Sequence, residues 1–414
     1  MLTSFGFTRQ QSHNVRIPRM QHRHLLPGLG LATALLLAAC GGPPRHGEHV
    51  DRTPDAQAVQ RAQALADSGY HARESSTLTL ALQQWAVAGT AMPVSLAFPG
   101  QGTKLPLIVY VPGLGESAQA GSRWRQAWAR AGYAVLSAQP LEFDASAWSS
   151  DLARGAEFKA LAREHLKPEL QPERMRHLQA LLEEARRRAL SGDSLWSRVD
   201  FDRIAFAGYD FGSLSAAAPR SAATLLLSPL PLDAAAAAAM DRPLLMVGSQ
   251  RDVDVIGAVA APQDRVQAFD SLPPGNKALL MLDGASHALL SGNVGQEGGD
   301  EDRAESAPPA RSRNGQGGQG GQGSGGRRSR NGGGMGGNNN NGGQAAGRDA
   351  GSYGGANASA GGRGSWAGLM QAQAVETLSI AFFDAHLRGS KEARQWLDRD
   401  AANWLGELGE WQQR

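Results

Sequence analysis

The sequence has little cysteine, little aromatic content and little excess of either charge. Cys40 is the single cysteine among 414 residues, which excludes an intramolecular disulfide and any metal site built from several cysteines. The formal net charge is only +2, so the composition gives no reason to expect nucleic-acid binding. The apolar run over residues 25–39 has about 15 residues, which is short for a membrane-spanning helix.

Glycine, in contrast, is abundant and concentrated in one segment. Residues 295–365 contain 25 of the 52 glycines, and they include few aliphatic or aromatic side chains. Such a segment cannot bury enough apolar surface to offset the entropy lost on ordering. The composition predicts a disordered insertion over 295–365, and a solvated surface loop is favoured over an RNA-contacting one despite its arginines.

The first 39 residues have the pattern of a targeting segment. Basic residues precede the apolar run, which ends in small residues directly before Cys40. This ending resembles the lipobox of bacterial lipoproteins, in which the cysteine carries the lipid and becomes the mature N-terminus. Met1 and Met20 are both candidate starts of this leader. The resemblance implies a signal peptide over 1–39 and a membrane anchor at Cys40.

The residues around Cys40 also suggest a location. Gly41 stands where aspartate is associated with retention in the inner membrane, so a Gram-negative cell would carry the protein on its outer membrane, facing the periplasm. Residues 40–70 are expected to form a tether, with room for a short helix. The foldable remainder comprises residues 71–294 and 366–414, enough for one domain with a substantial core.

Apolar strand patterns alternate with helical patterns through this remainder. Alternation of this kind predicts an α/β domain, with a mainly parallel central sheet and helices on both faces. Strands are predicted over residues 75–82, 93–98, 105–111, 133–138, 204–207, 224–227, 243–247 and 278–282. Helices are predicted over residues 123–131, 172–191, 213–218 and 369–387, with another beginning at 390.

Three of the predicted strands end in residues that can carry out chemistry. Asp210 follows the strand 204–207 and lies in a tight turn between Gly208 and Gly212, immediately before a helix. A strand, a tight turn and a helix form the context of a nucleophile elbow. Asp252 and Asp254 follow the strand 243–247, and His287 follows the strand 278–282. An elbow residue, then an acid, then a histidine is the chain order of α/β-hydrolases.

The chain resembles the α/β-hydrolase superfamily, in the branch of dienelactone hydrolases and platelet-activating-factor acetylhydrolase-like esterases. The matching segments are residues 105–117, 132–139, 199–217, 243–254, 280–290 and 379–389. The resemblance implies an α/β-hydrolase fold that acts on a small-molecule substrate. No cofactor is expected, and the histidines of the sequence show no pattern of a metal site. The interval between residues 227 and 243 is too short for a cap domain.

The resemblance also implies roles for individual residues. His287 would be the catalytic base and Asp252 the acid of the triad, with Asp254 as the alternative. The backbone amides of Leu114 and Phe211 would form the oxyanion hole.

The decisive position departs from the family, because Asp210 stands where relatives carry the serine nucleophile. Three hypotheses follow. In the first, Asp210 is itself a nucleophile, as in the related haloalkane dehalogenases and epoxide hydrolases, and His287 activates water against the resulting ester. In the second, ester chemistry is lost, Asp210 forms an ion pair with His287, and the protein is a binding or structural lipoprotein. In the third, Ser213 or Ser117 replaces the missing serine.

Overall fold

A computed structural model of the protein describes residues 56–72, 77–254, 256–293 and 363–414. The predicted signal peptide, Cys40 and nearly all of the predicted insertion 295–365 lie outside the described residues. The part of the chain that is described forms a mixed α/β structure built on a single nine-stranded sheet.

The sheet is mostly parallel, with antiparallel pairs towards both edges. Its strand order is β1-β2-β4-β3-β5-β6-β7-β8-β9. The central strands from β4 to β8 run parallel, while β1 pairs with β2, β2 with β4 and β8 with β9 in antiparallel fashion. The strands are β1 Leu78–Val87, β2 Thr90–Pro99, β3 Leu105–Val111, β4 Ala134–Ser137, β5 Val199–Tyr209, β6 Ala223–Leu227, β7 Leu244–Ser249, β8 Lys277–Leu282 and β9 Gly409–Gln413.

Helices cover both faces of this sheet. They are α1 Ala56–Ser68, α2 Ser122–Arg130, α3 Glu142–Ala145, α4 Asp151–Arg154, α5 Phe158–His165, α6 Leu170–Leu190, α7 Gly212–Ala217, α8 Ala234–Ala238, α9 His287–Ser291, α10 Arg363–Leu387, α11 Lys391–Arg399 and α12 Ala401–Leu405. Every residue of β3 is buried, as expected for a strand covered on both sides. Ile108 faces a core that includes Trp128 of α2 and Phe383 of α10. Val109 faces the opposite core, which includes Leu181 of α6.

The predicted mainly parallel sheet is confirmed, and the structure adds elements at its edges. β9 was not predicted, because it is a short and largely polar edge strand that buries few of its side chains. Helix α1 lies in the segment expected to be a tether, and its Ala58 is buried. The backbone oxygen of Leu65 in α1 accepts a hydrogen bond from Trp404 Nε1 at 3.1 Å. The packed structure therefore begins before residue 71.

A cluster of short helices lies between β4 and α6. We call helices α3 to α5, with the turn between α3 and α4, the helical cover. Side chains of the cover pack with Leu114 and Phe211, and Trp148 Nε1 donates to the backbone oxygen of Leu114 at 3.0 Å. The described interval between β6 and β7 holds only the five-residue helix α8. The cover thus contacts the loops that carry the candidate site.

Candidate active site

The elbow is a sharp turn between β5 and α7, with Asp210 at its apex. The backbone of Asp210 has φ +45°, in the left-handed region that few non-glycine residues adopt. Its amide donates to the backbone oxygen of Leu227 at 2.9 Å, which fixes the turn against β6. Aspartate is among the side chains best tolerated in this conformation. The turn therefore places a carboxylate at the carboxyl end of the sheet, where ligands of open α/β sheets bind.

Two glycines allow this turn to pack against the first glycine loop, residues 112–115. A Cβ atom at Gly208 would lie 2.5 Å from the backbone oxygen of Gly212. A Cβ atom at Gly212 would lie 2.3 Å from the backbone oxygens of both Val111 and Pro112. These neighbours are backbone atoms that cannot move aside. A larger residue at Gly208 would therefore open the elbow itself, and one at Gly212 would separate the elbow from the end of β3 and the loop.

His287 and Asp252 form a tight pair beside the elbow. His287 Nδ1 lies 2.6 Å from Asp252 Oδ1, and Ser228 Oγ lies 3.0 Å from the same ring nitrogen. Asp252 is 1% exposed. Burial alone would lower the pKa of His287, but the hydrogen bond to Asp252 and the nearby carboxylate charges raise it on balance. The pair has the arrangement of a general base and the acid that orients it.

Asp254, the alternative acid, has a different role in the local structure. Its two carboxylate oxygens accept hydrogen bonds from the amides of Ile256 and Val259, at 3.0 and 2.5 Å. Asp254 thus fixes the loop that follows β7. Asp252, not Asp254, is the acid in contact with His287.

A buried arginine holds the elbow carboxylate. Arg265 has no exposed surface, and its Nη1 donates to Asp210 Oδ1 at 2.9 Å and to the backbone oxygen of Ser228 at 3.0 Å. Its Nε lies 3.5 Å from Asp252 Oδ2, and its Nη2 lies 3.9 Å from Asp254 Oδ1. Burial opposes the charged form of Arg265, but the charges of Asp210 and Asp252 outweigh it and raise its pKa.

The second hypothesis predicted an ion pair between Asp210 and His287. The structure instead pairs Asp210 with Arg265. Arg265 is the nearer cation, and no hydrogen bond among the described residues joins Asp210 to His287. The charge of Asp210 is nevertheless close enough to contribute to the raised pKa of His287. Within the described part of the chain, Asp210 Oδ2 and His287 Nε2 have no hydrogen-bond partner. Arg265 thus holds one carboxylate oxygen of Asp210, and the other oxygen makes no hydrogen bond with the described residues.

The two amides expected to form an oxyanion hole lie on loops that contact each other. Neither the amide of Leu114 nor that of Phe211 makes a hydrogen bond with another described residue. The neighbouring amide of Gly115 donates to the backbone oxygen of Asp144 at 2.9 Å, which ties the first glycine loop to the helical cover. Unpaired amides on adjoining loops are suited to binding an anionic or developing oxyanion atom.

A buried ion cluster supports these loops from the side of the helical cover. The Asp144 carboxylate accepts from Arg174 Nε at 2.7 Å and Nη2 at 2.8 Å, and it lies 2.9 Å from His165 Nδ1. The guanidinium carbon of Arg174 lies 4.9 Å from the ring centre of Phe211, the residue after the elbow. The cluster therefore braces both the loop that follows β3 and the elbow.

Glu116 is a further carboxyl group at the site, and it was not predicted. Its only signal in the sequence is its position after the first glycine loop. Its Oε2 accepts from the amide of Gly113, and its Oε1 accepts from Asn293 Nδ2, both at 2.8 Å. Burial, reinforced by the charge of Asp210, raises the pKa of Glu116 to about 7, against the two hydrogen bonds that lower it. Near neutral pH this group exists in both its protonated and its ionised form.

The serines of the third hypothesis do not contact the histidine. Ser213 has no exposed surface, and its Oγ accepts from the amide of Leu230 at 3.0 Å. Ser117 is exposed, and its Oγ accepts from the amide of Gln119 at 3.2 Å. Ser228 does reach His287, but at Nδ1, the nitrogen that also faces Asp252. None of the three has the position of a nucleophile activated through Nε2.

Comparison with known proteins gives no assignment. The chain matches no family model, and no curated protein matches it.

The described residues contain no group of three or more His, Cys, Asp or Glu side chains that could hold a metal ion. No helix in the described ranges combines the length and the hydropathy needed to cross a bilayer.

Three polar groups at the site, Arg265, Ser228 and Glu116, were not predicted from the sequence. Arg265 ends the short 3-10 helix Pro262–Arg265, in a stretch of mixed composition where nothing in the sequence distinguishes a buried arginine from an exposed one. Ser228 gave one signal, because it directly follows the buried strand β6 at the same edge as Asp210. Glu116 likewise follows β3 by a few residues. In a parallel sheet, polar residues just beyond the carboxyl ends of the strands are therefore candidates for the functional site.

Proposed function

We propose that the protein is a hydrolase of the α/β-hydrolase fold in which the Asp210 carboxylate is the nucleophile. One observation carries this proposal: at a left-handed elbow, Asp210 has one oxygen held by Arg265 at 2.9 Å and the other without a hydrogen bond among the described residues. A carboxylate attacks saturated carbon through one oxygen, and fixing the other aims it. The pair His287 and Asp252 lies beside it, ready to activate water.

The first half of the reaction forms an ester. Asp210 Oδ2 attacks a saturated carbon of the substrate, a carbon–oxygen bond forms, and the bond from that carbon to the leaving group breaks. An attack on a carboxylic ester would instead give an anhydride, a poor route. The proposed substrates are therefore compounds with an electrophilic saturated carbon, such as alkyl halides or epoxides.

The second half of the reaction hydrolyses that ester. His287 in its neutral form takes a proton from water, and the resulting hydroxide adds to Cγ of Asp210. Negative charge then develops on Oδ1, which Arg265 already contacts, and the amides of Leu114 and Phe211 lie on the adjoining loops. Collapse of this intermediate releases the alcohol, which receives the proton from His287.

The location follows from the leader sequence. A lipid anchor at Cys40 would hold the protein on the cell envelope, on the periplasmic face of the outer membrane in a Gram-negative cell. The proposed α/β-hydrolase identity rests on the chain order of Asp210, Asp252 and His287, which follow the parallel strands β5, β7 and β8.

A second candidate function is a non-catalytic binding protein built on the same fold. The observation that favours it is the ion pair of Asp210 with a fully buried Arg265, because a paired carboxylate is a weaker nucleophile. In that case the site would bind a small molecule without converting it.

An adduct-trapping experiment separates the two candidates. His287→Gln removes the base that hydrolyses the ester but leaves the elbow intact. Incubated with a panel of alkyl halides and epoxides, this variant should accumulate a covalent adduct, located on Asp210 by peptide mass spectrometry. The matched control is Asp210→Asn/His287→Gln, which has no carboxylate to alkylate. Equal labelling of the two variants, or no adduct with any compound, would favour the binding protein.

A further inference from the structure

The geometry points to a proton donor for the leaving group. We infer that Glu116 is the general acid that protonates the leaving oxygen when Asp210 attacks, and that the substrate class is an epoxide. This inference rests on the proposed function of Asp210. It assigns chemistry to a carboxyl group that activation of water by His287 and Asp252 does not use.

Gly113 and the Tyr209 ring link the Glu116 carboxyl to His287, the proposed base. Its Oε2 lies 2.8 Å from the amide of Gly113, the residue before Leu114. A Cβ atom built on Gly113 would lie 3.2 Å from Glu116 Oε2 and 3.0 Å from Tyr209 Cδ1, so the carboxyl group and the tyrosine ring flank the same small space. The Tyr209 ring centre lies 5.1 Å from that of His287.

The carboxyl group is held without a cationic partner. Both of its hydrogen bonds come from neutral donors, Gly113 and Asn293, and no ion pair to Glu116 is found among the described residues. The titratable groups that face it are Asp210, His287, Tyr110 and Tyr209. The Asp210 charge favours the protonated form of Glu116, while a protonated His287 would favour the ionised form. A pKa of about 7 gives Glu116 a proton that it can donate near neutral pH.

The chemistry of the leaving group then selects the substrate. A halide leaves as a stable anion and needs no proton, whereas the opening of an epoxide would leave a strongly basic alkoxide. In the proposed step, Asp210 Oδ2 bonds to one ring carbon, the bond from that carbon to the ring oxygen breaks, and the oxygen takes the proton of Glu116. The products are the hydroxyalkyl ester of Asp210 and the Glu116 carboxylate.

The cycle closes without any further reactant. Water adds to Cγ of Asp210 with the help of His287, and the ester breaks to release a 1,2-diol. Asp210 emerges as a carboxylic acid, and its proton returns to Glu116 directly or through solvent. The sum is one epoxide plus one water giving one diol.

A matched pair of substrates tests this assignment. Formation of the Asp210 ester is measured by rapid quench and mass spectrometry for 1,2-epoxyhexane and 1-bromohexane, in the parent and in Glu116→Gln. Glutamine keeps the size of the side chain and can still pair with Asn293, but it has no acidic proton. The variant should form the ester from the epoxide about 100-fold more slowly, and from the bromide less than about threefold more slowly. In the parent, the epoxide rate should also fall as the pH rises through about 7.

The outcomes separate this inference from the function on which it rests. An equal loss of rate with both compounds would assign Glu116 a purely structural role and overturn the inference, as would an unchanged epoxide rate. If the parent forms an ester from the bromide but none from the epoxide, the inference fails and the proposed function survives. If neither compound alkylates Asp210 in the parent, both fail.

Discussion

Arg265 Nη1 donates to Oδ1 of Asp210 at 2.9 Å, from a position with no exposure to solvent. Burying a guanidinium costs several kcal/mol unless opposite charge surrounds it. Here Asp210, Asp252 and Asp254 supply that charge. The elbow carboxylate is therefore part of a buried ion network as well as the residue at the apex of the turn.

Removing the cation should destabilise the fold. Arg265→Met leaves three neighbouring carboxylates without their shared partner, so we expect the free energy of unfolding to fall by about 3–5 kcal/mol in urea titrations at pH 7. Arg176→Met is the control, because Arg176 pairs with Glu173 on an exposed surface of α6. That change should have almost no effect. Equal stability of the two variants would show that Arg265 is not the centre of a buried network.

The glycines of the elbow should be intolerant of even one methyl group. Gly212→Ala places a Cβ atom 2.3 Å from two backbone oxygens, and we expect a loss of about 3 kcal/mol or more in the free energy of unfolding. Gly368→Ala is the matched control, since its nearest neighbour is a flexible leucine side chain at 3.2 Å. Thermal unfolding followed by circular dichroism compares the two. A Gly212→Ala variant as stable as the control would contradict the close approach of the elbow and the first glycine loop.

Glu116 should make stability depend on pH. Its pKa is about 7 when folded and about 4.3 when unfolded, so the folded state binds more protons between those values. Stability must then fall as the pH rises through this window. Glu116→Gln should remove about 1–3 kcal/mol of the loss that the parent shows between pH 5 and pH 8, measured by urea unfolding. Glu183→Gln, on an exposed face of α6, should leave the parent's pH profile unchanged.

The raised pKa of His287 can be measured directly. The Cε1 proton of this ring should titrate in NMR spectra with a midpoint above the ordinary value of about 6.5. Asp252→Asn removes the hydrogen-bonded charge and should move the midpoint downwards. Because the folded pKa is raised, the stabilising contribution of His287 is complete below about pH 6.5 and is lost as the pH rises through the folded value. A midpoint that Asp252→Asn leaves unmoved would contradict the pairing.

A serine at the elbow should restore ester hydrolysis. Asp210→Ser would place a hydroxyl beside His287 and Asp252, and we expect turnover of p-nitrophenyl acetate from a parent that has none. Asp210→Ala has no nucleophile at this position and serves as the control. A serine variant as inert as the alanine variant would mean that the remaining machinery is not functional.

Much of the fold was predictable because it follows local patterns. The apolar runs that became β3, β6 and β7 are continuous and bounded by turn residues, so they predict buried parallel strands. The edge strand β9 and the helical cover lack such patterns. β9 is short and polar. The helices of the cover have eight residues or fewer, too few for a clear apolar period, and packing on Leu114 and Phe211 stabilises them.

The candidate site was predictable only in part, for a similar reason. Asp210, Asp252 and His287 each follow a predicted strand, so the topology of a parallel sheet brings them to one edge. Arg265 approaches the site through tertiary packing after a long loop, and no sequence spacing encodes that approach. The sequence therefore indicated a nucleophile and a base but not the cation that holds the nucleophile.

A single turnover in heavy-oxygen water tests the central claim most directly. Enzyme in excess over an alkyl bromide or an epoxide is allowed to react once in H₂¹⁸O, and the peptide that contains Asp210 is analysed by mass spectrometry. If Asp210 forms the ester and water attacks its Cγ, one heavy oxygen will appear in the Asp210 carboxylate and the first alcohol released will carry ordinary oxygen. Heavy oxygen in the alcohol and none in Asp210 would contradict the account, because water would then have attacked the substrate itself.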